Sequence, residues 1–177
     1  MRKKLLSPPV MAVCGLAIGA IARLLDIYTQ NLGEIFSQMA VWILLGALIS
    51  VYSPSPKRAA VNVLLFCLGM LATYYAAAAI THGVYSRSFI IGWTAFALCT
   101  PVMAALVWHA KEPGWPGRAV AAGVVAAAAL SSVVLFGGFR IYDAVIDGAL
   151  IYLLFFKRIR RGDLTPRALI RSGGLSV

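Results

Sequence analysis

The chain has 177 residues, of which 61% are hydrophobic and 12% charged, and its formal net charge is +10. A soluble domain is about 45–50% apolar and about 25% charged, so the composition excludes an ordinary water-soluble fold and calls for lipid as solvent. No zinc-ligand spacing, phosphate-loop glycine pattern or nucleic-acid module accompanies the positive charge, which argues against a nucleic-acid partner.

Met1-Arg2-Lys3-Lys4 leads into Leu5-Leu6-Ser7-Pro8-Pro9 and an apolar run over residues 10–25. The prolines suit the first helical turn, where a missing N–H costs nothing. A signal peptide competes, since the start is basic and Ala20-Ile21-Ala22 offers a cleavage-like site, but the proline pair interrupts the apolar segment. The second run covers about 35–52 and ends at Ser53-Pro54-Ser55-Pro56-Lys57-Arg58, a clear break. The third covers 59–80, the polar loop 81–88 follows, and the fourth covers 89–108 with Pro101 as a predicted kink. Residues 111–118 form the next break, the fifth run covers 119–136, and Gly137-Gly138 leads to a last run over 139–156. Lys157-Arg158-Ile159-Arg160-Arg161 stops it.

Each run is near the roughly 17–25 residues that cross a bilayer. The expected fold is therefore all-α: a polytopic membrane protein with a bundle of six transmembrane helices in residues 1–161, followed by a basic cytoplasmic tail in 162–177. Alternating the loops gathers 13 of the 16 basic residues on one side and leaves Arg23, Arg87 and Arg140 on the other. That asymmetry predicts both termini in the cytoplasm and a bacterial cytoplasmic membrane as the location. It also makes the charge a topology signal and a contact for anionic lipid.

The last run carries ionisable residues into lipid. Arg140 and Asp143 are three apart and Asp143 and Asp147 four apart, which predicts one shared helical face. At about 1.5 Å rise per residue, Asp147 falls roughly 10 Å below the helix start, where a carboxylate must face other helices or water. Glu34, Gln38 and Trp42 recur at four-residue spacing on the second run, and Tyr74 and Tyr75 lie in the outer half of the third. Two readings follow. Asp147, Asp143, Arg140, Glu34, Gln38, Trp42 and Tyr75 line an outward-facing pocket for a small polar or aromatic solute or for protons. Alternatively, pairs such as Arg140 with Asp143 or Arg23 with Glu34 fix helix packing, with the outer aromatics forming an interfacial belt.

On the first run Gly15 and Gly19 are four apart, a small-residue surface for close helix approach, either within the chain or to a membrane partner subunit. Asn62 is expected to donate a hydrogen bond between helices. Cys14, Cys67 and Cys99 share no short spacing and read as apolar packing residues. No metal site or cofactor is expected, since His82 has no second histidine near it. Nor is an enzyme: Ser131-Ser132 lacks a glycine-flanked turn and a helical histidine, and Asp143 and Asp147 share one helix where an aspartyl protease needs two.

The stretch from Gln38 to Ala47, then Ser55-Pro56-Lys57-Arg58-Ala59-Ala60 and Tyr74-Tyr75, resembles a family of small bacterial six-helix membrane proteins of unknown function, over residues 10–156. The architecture is also similar to the substrate-binding components of energy-coupling-factor vitamin transporters. That likeness implies that a small-residue motif at Gly15 and Gly19 docks a coupling subunit, although the usual alanine-rich pattern is not cleanly matched. The expected function is a solute-binding or transport subunit; the alternative is a non-catalytic structural or regulatory protein that associates with other membrane proteins.

Overall fold

Proline, serine and glycine set where the helices begin. A computed structural model describes residues 6–29, 38–81, 86–136, 138, 140–157 and 159. Helix α1 spans Pro8–Tyr28, α2 Met39–Tyr52, α3 Pro56–Ile80, α4 Arg87–His109, α5 Trp115–Phe136 and α6 Ile141–Ile151, which continues into a π-helical turn, Tyr152–Phe156. Prolines open α1 and α3, and the Ser55 hydroxyl caps α3 by accepting from the Arg58 amide at 3.2 Å. Gly114, at φ +107°, supplies the left-handed residue that turns the chain into α5. Pro101 leaves the Ala97 carbonyl without its amide donor, and the Thr100 hydroxyl donates to that carbonyl at 2.6 Å, so α4 continues through it.

Four helices, α1, α3, α4 and α5, are long and apolar enough to cross a membrane. The second and last runs come out shorter than their apolar stretches predict. Helix α2 has 14 residues and starts at Met39 rather than near 35, and α6 has 11 and starts at Ile141 rather than 139.

Helix α2 divides two cores. One face, through Trp42, Leu45 and Ile49, packs with α1, α3 and α4 around Phe66 and Met70. The opposite side, through Ala40, Ala47 and Val51, packs with α5 and α6 around Ala128 and Leu150. Outside these cores the large side chains are apolar and exposed, as with Val102 at 67% and Val134 at 73%, which is the surface expected against lipid.

Hydrogen bonds tie one end of the bundle together. Asn62 Nδ2 donates to the Leu6 carbonyl at 3.0 Å and to Ser53 Oγ at 3.1 Å, linking the starts of α1 and α3 to the end of α2. This is the interhelical donor the sequence predicts. Trp108 Nε1 donates to the Ser53 carbonyl at 2.9 Å, and Lys111 Nζ to the carbonyls of Leu154 and Lys157 at 2.9 and 2.7 Å. Lys57, Arg58, Lys111, Arg118 and Lys157 all belong to this basic end. Because Asn62 is fully buried, Asn62→Ala is expected to cost about 1–3 kcal/mol in a denaturation curve in detergent, and a wild-type curve would show that these bonds do not hold the end together.

With their ends aligned there, helix length decides depth. At about 1.5 Å per residue, α3 rises about 38 Å, α5 about 33 Å and α2 only about 21 Å. Helix α6 with its π turn rises at most about 24 Å. The starts of α2 and α6 therefore lie below the far ends of their neighbours, and polar residues sit at both starts.

Candidate functional site

The start of α6 is built by Asp143. Its Oδ2 accepts the Arg140 backbone N–H at 2.9 Å, so Arg140 is the extended cap residue and not the first residue of a helical face. This corrects the expected arrangement of Arg140, Asp143 and Asp147 on one face. A carboxylate in the first turn satisfies an orphan amide and the positive helix end, and that local gain places Arg140 outside the helix. The Arg140 guanidinium turns to the Tyr142 hydroxyl and lies 5.6 Å from its ring centroid.

Asp143 is 0% exposed and Asp147 7%, and each keeps one oxygen, Oδ1, without a hydrogen-bond partner among the described residues. They are one turn apart on the α6 face that carries Ile146 and Leu150 into the second core. Asp147 lies about 9 Å from the start of α6 and about 14 Å from the end of its π turn, counted at about 1.5 Å rise per residue.

Gln38 caps α2 with its side chain 1% exposed, and its Oε1 also lacks a partner among the described residues. Gln38 precedes the helix that carries Trp42, since α2 begins at Met39, and Glu34 lies outside the described residues, as does His82. Trp42 and Tyr75 pack in the first core, on the other side of α2 from Ile146 and Leu150. The structure thus does not gather the six described residues of the predicted lining around one point. Of these it leaves acceptors at the start of α2, Gln38, and on α6, Asp143 with Asp147, two helices that pack against each other; Asn62 Oδ1 on α3 is the further buried acceptor without a partner among the described residues.

Arg23 and Asp26 join α1 to α3. Arg23 pairs with Asp26 at 3.0 Å and donates to Thr81 Oγ1 from Nε and Nη2 at 3.2 and 3.0 Å, while the Tyr74 hydroxyl donates to Asp26 at 2.8 Å. These bonds lock α1 to the far end of α3. The expected partner of Arg23 was Glu34; among the described residues it is Asp26.

Gly15 and Gly19 complete the same lock. A Cβ on Gly15 would stand 2.1 Å from the Phe66 carbonyl oxygen, and one on Gly19 would stand 2.2 Å from that of Met70. The surface predicted to dock a partner subunit is covered by α3 of the same chain, because only glycine lets the two backbones approach this closely.

Sequence reasoning missed a cleft of about 340 Å³ between α4 and α5, floored by α2 and α3. Its only signal in the sequence is a pair of helical glycines, Gly46 and Gly123, which leave space where side chains would stand.

Long apolar helices, a lipid-type surface and carboxyl groups buried among apolar helices define the class as a helical membrane protein. The chain belongs to the family of unknown function DUF6518, which it matches over residues 1–169. No curated protein and no solved structure matches it, so the architectural likeness to energy-coupling-factor components gains no counterpart.

Proposed function

We propose that the protein is a multi-pass subunit of a bacterial cytoplasmic membrane that binds or transports a small solute at the recessed acceptors Asp143, Asp147 and Gln38. All six helices cross or enter the bilayer in this reading, with the basic end and both termini in the cytoplasm. The observation that carries it is the pair of Asp143 and Asp147 Oδ1 atoms, buried on one face of α6 and unpartnered among the described residues. Such groups are expensive in lipid unless something outside the fold satisfies them. The open atoms are acceptors, so the matching solute brings donors or positive charge: a small cation, an amine or a proton. The role is binding, and no catalytic step is assigned to the carboxyl groups.

Purified protein in detergent is titrated with sodium, potassium and a set of primary amines while its unfolding temperature is followed. At one hundred times the dissociation constant, a ligand should stabilise the wild type by about 2.7 kcal/mol, and Asp147→Asn should remove that gain. Equal stabilisation of Asp147→Asn by an active ligand would move the site elsewhere. The competing reading, a non-catalytic structural or regulatory protein, expects no stabilisation by any of these solutes and a co-purifying membrane partner.

A further inference from the structure

The cleft between α4 and α5 lies outside the acceptor site and has a chemistry of its own. Its mouth is formed by Met103 and Leu106, 48% and 55% exposed, and by the exposed Gly123 and Ala127, so it opens sideways onto the lipid-facing surface. Two hydroxyls line it, but both are turned to their own helices: Ser50 Oγ donates to the Gly46 carbonyl at 2.7 Å and Thr100 Oγ1 to that of Ala97 at 2.6 Å. The surface offered to an occupant is therefore hydrocarbon.

Length and volume narrow the occupant. Along α4 the lining runs from Phe96 to Val107, a rise of about 16 Å, which is one leaflet of a hydrocarbon layer about 30 Å thick. The cleft has about 340 Å³, which suits a single flexible chain. Its Val107 end points to the basic end, which carries Lys57, Arg58, Arg118 and Lys157 and, among the described acidic residues, Glu112 alone. Glu112 is itself paired with His109 at 2.9 Å.

We infer that the α4–α5 cleft holds one acyl chain of an anionic phospholipid from the leaflet at the basic end. The chain enters between Met103 and Gly123, and its headgroup stays among the basic side chains. This inference does not rest on the acceptor site and survives its failure.

Trp42 is 8% exposed and lines the cleft, which makes it a reporter. The protein is reconstituted into vesicles of phosphatidylglycerol brominated in mid-chain, and tryptophan quenching is compared with Gly123→Leu and Ala127→Leu. Both substitutions fill the mouth from exposed positions, and a Cβ at Gly123 meets nothing within 4 Å, so the fold has room for them. The other tryptophans are common to all three proteins and cancel. The expected result is loss of the Trp42 share of quenching in both variants, and weaker quenching of the wild type by brominated phosphatidylcholine. Identical quenching in all three proteins overturns the inference, as does efficient disulfide cross-linking of Gly123→Cys between two copies, which would place a second chain in the cleft. Equal quenching by the two lipids overturns the anionic selection.

Discussion

Gly15→Ala is expected to destabilise the protein by about 3 kcal/mol or more, although it adds a single methyl group. The new Cβ would lie 2.1 Å from the Phe66 carbonyl oxygen and 2.9 Å from its carbonyl carbon and Cα. These are backbone atoms, which cannot swing aside as a side chain would, so α1 and α3 must separate. Separation also breaks the bond from Thr73 Oγ1 to the Leu16 carbonyl at 2.8 Å and loosens the Arg23 contacts with Thr81. Gly123→Ala is the matched control. Its Cβ meets open space, and alanine in a helix interior is favoured over glycine by about 0.8–1.0 kcal/mol. Opposite shifts of the unfolding temperature in one detergent check the pair. A Gly15→Ala protein as stable as the wild type would show that the two helices are not in backbone contact.

Asp147→Leu should do the reverse of what a structural residue does: raise stability by about 1–3 kcal/mol while abolishing solute binding. Asp147 is 7% exposed, with Oδ1 unpartnered among the described residues, on the α6 face that carries Ile146 and Leu150 into the second core. Replacing a buried polar group by an apolar one of similar size removes a desolvation cost when the group has no strong partner. If Asp147 instead anchors the packing of α6, the same substitution lowers the unfolding temperature. The sign of the shift therefore separates the two readings without knowledge of the solute. Asp143 has a built-in contrast, since its Oδ2 caps the Arg140 amide at 2.9 Å and Asp143→Leu loses that bond.

How much was legible beforehand differs from residue to residue. Asn62 was readable as an interhelical donor because an amide inside an apolar run has few other uses. That Asp147 must turn inward was readable from its place inside an apolar run, and it is 7% exposed. Arg140 was misread, because counting residues along an assumed helix cannot show that the Asp143 carboxyl stops the helix one residue after Arg140. Trp42 and Tyr75 were grouped with the acidic residues by height in the bundle, whereas α2 stands between them and the second core. Height is a one-dimensional property that the sequence carries; the side of a helix facing a given neighbour is not.

The sequence by itself determined that the chain is built of apolar helices of membrane type, where the six described helices fall to within a few residues, and which loops carry the basic charge. These follow from apolar run length, proline and serine at helix starts, and loop composition, all of them local properties. Only the tertiary structure decided that Gly15 and Gly19 serve α3, that α2 separates two cores, that Asp143 and Asp147 keep oxygens unpartnered among the described residues, and that α4 and α5 part to leave a cleft. Those outcomes depend on which helices pack together and at what rotation, and close packing among apolar faces of nearly uniform composition leaves no pattern along the chain from which to read them.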